Sequence, residues 1–409
     1  MKNLLEGITL EEARSILLSL PLERKTEYIP LEDSIGRVLT EDYHAPYMLP
    51  SFSKSPLDGY AFRSADTTEA KESAPVTLRI IEEIPAGEAP TKAIGPGEAA
   101  KILTGAPIPK GADAVVRYED TRFTGETVTI FQSFKPDTNI IHAGEDVNAG
   151  ALVANAGTVV TPALAGLFAS LGIPRLHVYA VPKAALISTG NELVEVSKAL
   201  SPGKIHNSSL YTLGGYIKQA GASLVFTGLA RDCDEAIAAA IKTAASKADV
   251  VITTGGVSVG DYDRVRAALE SLGAEILFWR LAIKPGAALI AALFDGRLIL
   301  GLSGNPGSAA TALNLLALPY IKKLRGMKDV LPPRTQACIK ESFPKSSPCA
   351  RYLRGSIVYE NGTVLFTQTG SQGNNIISSF VNCSALAEIP AGSSPVPAGT
   401  MLDVYLLDL

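Results

Sequence analysis

Apolar segments and helical segments alternate along the chain from about residue 177, and this alternation constrains the fold more than any other feature of the sequence. It is typical of βαβ units, in which helices cover a parallel sheet. The segments read, in chain order, AALISTG, LYTLGGYIKQAG, SLVFTGLARD, EAIAAAIKTAASKA, DVVITTGG, RVRAALESLG and LILGLSGNP. We therefore predict an α/β domain with a parallel sheet in this part of the 409-residue chain.

Acidic side chains follow three of the predicted strands. Glu192 lies in STGNEL, Asp232 and Asp234 lie in LARDCD, and Asp261 and Asp263 follow VVITTGG. The carboxyl ends of parallel strands share one edge of a sheet, so these carboxylates should converge there and repel one another unless a cation neutralises them. Each acid alone is more often a helix cap than a ligand. Together they predict a site for Mg²⁺ and phosphate, because Mg²⁺ is held by one or two carboxylates plus substrate phosphates.

The stretch VVITTGGVSVGDYD, residues 250–263, is a strand that runs into a glycine-rich turn. Backbone N–H groups in such a turn can face an anion, and a following helix N-terminus reinforces them. The dinucleotide fingerprint G-x-G-x-x-G and the P-loop G-x-x-x-x-G-K-[ST] are both absent from the sequence. The turn therefore has two interpretations that stay open: a ligand-binding loop, or a tight turn whose aspartates cap the next helix.

Two cations and a serine are further candidates for binding an anion. Arg280 and Lys284 lie four residues apart in FWRLAIKPG, and Ser308 lies near a helix start in GLSGNPGSA. An arginine and a lysine at this spacing can clamp an oxyanion, although such pairs more often lie on a solvated surface.

Composition excludes several classes of protein. The formal net charge of −4 and the lack of a basic run argue against nucleic acid as a partner. No apolar stretch reaches the ~18 residues of a membrane span. The four cysteines form no C-x-x-C pair, which suits reduced thiols, and we expect a cytoplasmic protein. The four histidines offer no Ser-His-Asp set, so nucleophilic catalysis is disfavoured.

The remaining parts of the chain have signals of their own. Thr9, Glu12 and Pro21 predict a helix over residues 9–20, because Thr9 and Glu12 form a capping box and Pro21 ends the helix. Residues 46–147 are rich in glycine and proline with short alternating runs, which predicts a small β-rich domain. Near the C-terminus, Asn361-Gly362 between alternating strands predicts a hairpin with a type I′ turn.

Seven motifs, in this order and at these spacings, resemble the molybdopterin molybdenumtransferases, the molybdenum insertases that include the E domain of gephyrin. The resemblance covers essentially the whole chain. The motifs are DGYA, TGAPIPKGADAVV, AGEDV, STGNEL, TTGGVSVGDYD, FWRLAIKPG and GNPGSA.

The resemblance implies a multidomain α/β plus β protein. The implied regions are an elongated N-terminal α+β region, an inserted β-rich domain, a doubly wound α/β domain resembling the molybdopterin adenylyltransferases, and a C-terminal β-barrel. Their expected boundaries are 1–45 with 148–176, 46–147, 177–327 and 328–409. It also implies a homodimer, in which the α/β domain of one subunit and the β-rich domain of the other form a cleft.

The implied reaction takes adenylylated molybdopterin and molybdate, inserts molybdenum at the dithiolene, and releases AMP with Mg²⁺ as cofactor. Such a phosphoanhydride substrate suits backbone N–H groups, a divalent cation and positive side chains around its oxygens. Molybdopterin adenylyltransferase and apo-molybdoenzymes are the implied partners.

The resemblance also assigns residues to the site. The implied catalytic residues are Asp58, contributed by the other subunit, with Thr104, Asp146 and Asp263. The implied ligands of the metal are Asp263, Glu192 and Asp232. The implied substrate contacts are Gly255, Gly256, Ser258, Glu192, Asp232, Arg280, Lys284, Ser308 and Arg354, the last in YLRG.

Several positions depart from the family pattern. The usual K-P-G-K-P ends here in Ala287 and Ala288, and the usual Ser and His of the C-terminal loop are Asn374 and Asn375. Two further departures are Ile141, where the family has arginine, and Ser303, where the family has proline. Losing one ammonium from an oxyanion pocket costs roughly 1.5–3 kcal/mol in binding.

We hypothesise an active insertase with an altered oxyanion site and a changed discrimination between molybdate and tungstate. The alternative is a paralogue that carries molybdopterin or the finished cofactor, or acts as a scaffold, with little insertion activity.

Overall fold

The computed structural model describes residues 4–257 and 264–407. Within these residues the strands form one seven-stranded sheet, two six-stranded sheets and three two-stranded ribbons. The predicted multidomain α/β plus β class is confirmed.

The chain begins with a short strand and a capped helix. Thr9 Oγ1 accepts a hydrogen bond from the Glu12 N–H (3.2 Å), and Glu12 Oε2 accepts one from the Thr9 N–H (2.8 Å), which confirms the predicted capping box. The first elements are β1 (Leu5–Ile8), α1 (Leu10–Ser19), β2 (Thr26–Pro30) and β3 (Tyr43–His44).

The β-rich domain predicted over residues 46–147 contains a single six-stranded sheet. Its strands are β4 (Gly59–Phe62), β5 (Val76–Ile84), β6 (Glu98–Ile102), β7 (Ala114–Arg117), β8 (Thr121–Phe123) and β9 (Thr127–Ile130), in the spatial order β7-β4-β6-β5-β9-β8. Both faces of β4 are buried, which fits its central position in the sheet.

Two ribbons join the chain before the β-rich domain to the chain after it. They use β10 (Leu152–Ala154), which pairs with β3, and β11 (Arg175–Tyr179), which pairs with β2, on either side of α2 (Pro162–Ser170). These ribbons join β2 and β3 to β10 and β11, which ends at Tyr179.

The next segment alternates strands and helices as the sequence predicts. Its elements are β12 (Lys183–Thr189), β13 (Leu193–Val194), β14 (Ile205–His206), α3 (Ser209–Gln219), β15 (Ser223–Ala230), α4 (Asp234–Ala245), β16 (Val250–Thr254), α5 (Arg264–Ser271), β17 (Glu275–Leu281), β18 (Ile283–Lys284), β19 (Leu289–Phe294), β20 (Arg297–Leu302), α6 (Pro306–Ala312) and α7 (Leu318–Leu324). A π-helical segment, Leu313–Ala317, joins α6 to α7.

The seven-stranded sheet has the order β1-β17-β19-β20-β16-β12-β15. Strands β15, β12, β16 and β20 are parallel, as predicted, but β19 runs antiparallel to both of its neighbours. The reversal arises because β19 and β20 are joined directly by a tight turn at Asp295-Gly296, which leaves no room for a crossover helix.

The first strand of the chain completes this sheet at the β17 edge. Leu5 pairs with Phe278 and Ile8 pairs with Leu281 in parallel register. The buried face of α1 packs into the same core as α7 and the π-helical segment. Residues 5–19 therefore pack on the α/β domain, whereas the predicted grouping placed them with residues 148–176.

The C-terminal domain is a closed barrel. Its strands are β21 (Arg334–Ile339), β22 (Ala350–Glu360), β23 (Thr363–Gln368), β24 (Ala385–Ile389) and β25 (Met401–Leu406), and a pairing between β22 and β24 closes the circle. Asn361 (φ 48°) and Gly362 (φ 77°) make the turn between β22 and β23, which confirms the predicted hairpin. Strand β18 pairs with β22, so the segment that carries Lys284 is attached to the barrel.

Short 3₁₀ turns complete the described elements, at Leu31–Asp33, Ser64–Thr67, Tyr118–Asp120 and Ser378–Phe380. Among the helices that the structure describes, none combines the length and the apolar character needed to span a bilayer.

Candidate functional site

A cleft of about 550 Å³ lies at the carboxyl ends of β12, β16 and β20, where the sequence predicts a ligand site. Its lining contains two carboxylates, and no lysine or arginine among the residues that the structure describes. The lining residues are Thr189, Gly190, Glu192, Ile205, Asp232, Gly255, Gly256, Val257, Ala288, Ser303, Gly304, Asn305, Pro306 and Asn375.

The turn after β16 requires glycine because its backbone lies very close to Thr189 at the end of β12. Gly255 has φ 97°, and a Cβ atom there would lie 2.4 Å from the Thr189 carbonyl oxygen. Gly256 has φ 65°, and its Cβ would lie 3.2 Å from Thr189 Oγ1. The Gly255 N–H donates to the Leu302 carbonyl (3.0 Å), so that N–H is not free to face an anion. The glycines therefore allow the turn to pack directly against the end of β12, while one of the N–H groups expected to bind substrate holds the turn to β20.

Two buried oxygens beside this turn lack protein partners. Asp232 Oδ1 and Thr189 Oγ1 are shielded from solvent and accept or donate no hydrogen bond within residues 4–257 and 264–407. Both lie near Gly256, whose Cβ position is 3.6 Å from Asp232 Oδ1 and 3.2 Å from Thr189 Oγ1. Buried polar atoms are nearly always satisfied in a native protein, so these two oxygens are candidate contacts for a ligand or ion.

Glu192 and Asp232 are held on the same rim. The Asp232 N–H donates to Asn191 Oδ1 (3.2 Å), and the Glu192 carboxylate folds back so that a Cβ atom on Gly190 would lie 2.6 Å from its Oε2. The two side chains thus line the same cleft, and Asn191, which precedes Glu192 in the sequence, contacts the backbone of Asp232. In the described part of the chain, no cluster of three or more acidic, histidine or cysteine side chains is arranged to hold a metal.

Two predicted residues of the glycine loop, Ser258 and Asp263, lie outside the described residues, and so does Asp261. The structure places neither the predicted catalytic and metal-binding carboxylate of Asp263 nor the predicted substrate contact of Ser258.

The turn after β20 forms the opposite wall. The Thr254 hydroxyl donates to the Ser303 carbonyl (3.0 Å), and the Asn305 N–H donates to Ser303 Oγ (3.2 Å). Ser303, which departs from the family pattern, therefore stabilises this turn with its own side chain. Ser308 lies behind the wall with 3% of its surface exposed, and its N–H donates to the Asn374 carbonyl (3.1 Å).

Arg354 is fully buried, with 0% of its surface exposed, and does not line the cleft. Its Nη2 donates to the carbonyls of Ser371 (3.2 Å) and Gly373 (3.0 Å), and desolvation lowers its pKa. Its Nε and Nη1 have no hydrogen-bond partner among the described residues. In the structure Arg354 therefore holds the loop that ends in Asn375, a residue of the cleft wall.

The two predicted cations of FWRLAIKPG also lie away from the cleft lining. Arg280 has φ 64°, and its Nη1 lies 3.5 Å from Glu6 Oε1 in an exposed ion pair. Lys284 is exposed on β18. The contact between Arg280 and Glu6 joins residues 274 positions apart.

Asp58, Thr104 and Asp146 lie in the β-rich domain, and none of them lines the cleft of the same chain. Asp58 Oδ1 accepts hydrogen bonds from the Thr104 N–H and the Thr104 hydroxyl, both at 2.7 Å. These two bonds, the backbone one first, lower the pKa of Asp58 below its usual range. Asp146 is exposed, and its N–H donates to the Leu49 carbonyl (3.0 Å).

Sequence reasoning missed two polar residues of the cleft lining, Thr189 and Asn305, and also Asn191, whose Oδ1 accepts from the Asp232 N–H. Thr189 and Asn191 stand inside STGNEL, which was selected for its glutamate. The polar character of the whole strand ending was the signal that could have found them.

Three family descriptions match successive parts of the chain. Residues 8–172 match "MoeA N-terminal region (domain I and II)", residues 185–323 match "Probable molybdopterin binding domain", and residues 336–407 match "MoeA C-terminal region (domain IV)".

Relatives and solved structures match over nearly the full length. The molybdopterin molybdenumtransferase of Bacillus subtilis is 36% identical over 404 residues, which is 98% of this chain and 94% of the relative. That of Staphylococcus epidermidis is 35% identical over 401 residues, 98% of this chain and 96% of the relative. A crystal structure of the molybdopterin biosynthesis protein MoeA from Pyrococcus horikoshii is 31% identical with a TM-score of 0.84, covering 98% of this chain and 99% of that one.

The three matched regions follow the order of the domains seen in the structure, and both full-length relatives exceed 30% identity. The chain belongs to the molybdopterin molybdenumtransferase family of enzymes.

Proposed function

We propose that this enzyme inserts molybdenum from molybdate into adenylylated molybdopterin and releases AMP in a Mg²⁺-dependent reaction. The observation that carries the proposal is the pair of buried, unpartnered oxygens, Asp232 Oδ1 and Thr189 Oγ1, beside a glycine turn in the cleft. The full-length relatives, which are molybdopterin molybdenumtransferases, support the reaction class.

The donor set of the cleft fits Mg²⁺. Glu192 and Asp232 would hold the ion, because Mg²⁺ takes one or two carboxylates and completes its shell with water and phosphate oxygens. When bound, Mg²⁺ would neutralise the charge that develops on the phosphoanhydride. The absence of lysine and arginine from the described cleft lining supports this role for a cation, since a phosphate facing two carboxylates needs positive charge between them.

The chain's own residues bind and orient the nucleotide. The Gly255-Gly256 turn packs closely on Thr189, whose hydroxyl lines the cleft and has no hydrogen-bond partner among the described residues, so it can donate to a phosphate oxygen. Asn305 and Asn375 also line the cleft, and their side-chain amides offer donors for a bound nucleotide. Fixed donors of this kind lower the barrier by holding the reacting atoms in position.

We also propose that the enzyme works as a cytoplasmic homodimer. Asp58 and Thr104 are exposed and lie outside the cleft of their own chain, so in a dimer they would complete the cleft of the other subunit. The Thr104 N–H and hydroxyl, which lower the pKa of Asp58, also fix the orientation of its carboxylate, whose other oxygen can accept a hydrogen bond or assist the metal. Molybdopterin adenylyltransferase would supply the substrate, and apo-molybdoenzymes would receive the product.

Reconstitution tests the proposal. Purified protein is mixed with adenylylated molybdopterin, Mg²⁺ and graded molybdate, and both AMP release and activation of an apo-molybdoenzyme are followed. Asp232→Asn and Glu192→Gln should lower the rate of AMP release on the order of 100-fold, because each removes a charged contact to the metal. Asp295→Asn, on the turn between β19 and β20, is the matched control and should leave the rate unchanged. Equal rates for Asp232→Asn and Asp295→Asn would contradict the proposal.

The carrier function is the second candidate, because Ala287 and Ala288 stand where the family's K-P-G-K-P has its second lysine and proline, and Ala288 lines the cleft. Binding of the pterin nucleotide without AMP release at any concentration of molybdate or tungstate would identify the chain as a carrier.

A further inference from the structure

A proline in α7 leaves a helix carbonyl without its usual partner. In an α-helix the Leu315 carbonyl would accept from the N–H four residues later, but that residue is Pro319, which has none. The chain is π-helical over Leu313–Ala317. A π-helical turn inside an α-helix often marks a functional position.

Arg14 of α1 supplies a donor to this carbonyl. Its Nε donates to Leu315 O at 2.8 Å, although the two residues are 301 positions apart in the sequence. Arg14 is 6% exposed, and its Nη2 has no partner among the described residues. The buried guanidinium is therefore held at the helix by a directed hydrogen bond.

The same guanidinium packs on the barrel. Its Cζ lies 5.2 Å from the ring centroid of Tyr405 in β25, and Tyr405 contacts Tyr352 of β22 edge to face at 5.7 Å. Both tyrosines belong to the buried cluster that includes Leu316 and Leu10, so the outer face of the barrel packs on the α/β domain here. Arg14 thus contacts the π-helical segment and the barrel at once.

The helix that contains the π-helical segment and the barrel build adjoining walls of the cleft. The helix that contains Leu315 starts at Pro306, which lines the cleft. Strand β22, which carries Tyr352, also carries Arg354, and Arg354 holds the loop that ends at Asn375. The walls meet where the Ser308 N–H donates to the Asn374 carbonyl.

We infer that Arg14 is a positioning residue of the cleft, which sets the barrel loop 371–375 against the start of α6 through its contacts with Leu315 and Tyr405. It acts from outside the cleft and touches no lining residue, so its loss should loosen the loop without removing a ligand contact.

Lys323 provides the matched control. Its Nζ donates to the carbonyls of Leu18 and Leu20, so it also fastens α1 to α7, but none of its described contacts reaches the barrel. Arg14→Met and Lys323→Met both remove side-chain hydrogen bonds that join the α1 segment to this helix, and both keep a long apolar side chain.

Hydrogen–deuterium exchange of the full-length protein tests the inference. In Arg14→Met, the amides of residues 371–376 should exchange about tenfold faster than in the unmodified protein, whereas in Lys323→Met they should be unchanged. Equal acceleration in both variants, or none in either, overturns the inference. If Arg14→Met does not fold, Tyr405→Leu makes the same test from the barrel side, because it keeps the bond from Arg14 to Leu315.

A kinetic measurement adds a readout that rests on the proposed function. In Arg14→Met the KM for molybdate should rise severalfold while kcat stays within about twofold, and Arg14→Lys should recover part of the loss. An equal fall in kcat and kcat/KM would overturn a positioning role. Hydrogen exchange needs no substrate, so failure of the proposed reaction and failure of this inference are distinguishable.

Discussion

The cleft of the α/β domain and the Asp58–Thr104 pair of the β-rich domain each contain an aspartate carboxylate, but in two different environments. In the cleft, Asp232 Oδ1 is buried and has no partner in the described structure. In the β-rich domain, Asp58 is exposed and already accepts two hydrogen bonds from Thr104 at 2.7 Å. The first arrangement is incomplete without a ligand, and the second is satisfied before any ligand arrives.

This difference indicates which carboxylate should contribute more to the free energy of ligand binding. An unsatisfied buried carboxylate costs stability, and a ligand that satisfies it recovers that cost. An exposed carboxylate with its own donors gains little from a new partner but keeps a fixed orientation and charge. We therefore expect substitutions in the cleft to change ligand affinity. Substitutions in the Asp58–Thr104 pair should instead change the protonation of Asp58.

The largest effect is expected for Gly255→Ala, which should distort the cleft. In Gly255→Ala the new Cβ would lie 2.4 Å from the Thr189 carbonyl at φ 97°, so the turn must move. We expect a loss of ~3 kcal/mol in the free energy of unfolding, measured with urea, together with loss of nucleotide binding.

Gly296→Ala is the control for this change. Gly296 has φ 70° and nothing within 4 Å of its Cβ position, so only backbone strain of ~1 kcal/mol is expected, with binding intact. Similar losses in both variants would show that the close approach to β12 is unimportant.

A smaller effect should come from adding charge beside the cleft. Ala287→Lys places an ammonium next to Ala288, which lines the cleft, and restores K-P-G-K. The apparent affinity for molybdate should rise roughly tenfold, because a hydrogen bond to a charged group contributes about 1.5–3 kcal/mol. Calorimetric titration with molybdate and tungstate measures the change, and Ala287→Met controls for size. An equal gain with Ala287→Met would rule out the ammonium as the cause.

The smallest expected effect concerns the Asp58–Thr104 pair. Thr104→Val removes the hydroxyl but keeps the backbone N–H, which is the larger cause of the lowered pKa, so the pKa of Asp58 should rise only part of the way toward its ordinary value near ~3.9. A carboxylate with a lowered folded pKa stabilises the protein above its unfolded pKa and loses that contribution as pH falls through the folded pKa. The stability difference between Thr104→Val and the unmodified protein should therefore be full at pH 7 and vanish well below pH ~3.9.

Carbon-13 NMR titration of the Asp58 carboxyl group measures this change directly. Thr104→Ser keeps a hydroxyl donor and should titrate like the unmodified protein. A pKa that is the same in Thr104→Val and Thr104→Ser would mean that the backbone N–H alone sets it.

Much of the fold was predictable because its signals are local. The capping box of Thr9 and Glu12, the Asn361-Gly362 hairpin and the alternation of strands and helices each depend on residues close in sequence. The reversal of β19 was missed because this mostly buried strand lacks the alternation that marks a hairpin, even though Asp295-Gly296 is a turn signal.

The site was predictable to a lesser extent. The convergence of Glu192 and Asp232 follows from the geometry of a parallel sheet, and the structure brings them to one cleft. The burial of Arg354 and the pairing of Arg280 with Glu6 depend on contacts between distant segments, which no local pattern reports. The sequence therefore predicts the position of the acidic rim, but it does not predict that Arg280, Lys284 and Arg354 lie away from the cleft lining.

The pairing of β1 with β17 makes the order of synthesis matter. Residues 5–8 leave the ribosome long before residues 275–281, at ~5–20 residues per second, so the first strand must wait for its neighbour. A fragment limited to residues 177–327 would lack β1 and α1 and would expose the β17 edge together with the apolar surface that Leu10 and Leu17 cover. The α/β domain is therefore continuous in space but not in the chain, and cutting it out by sequence position would produce an aggregation-prone edge.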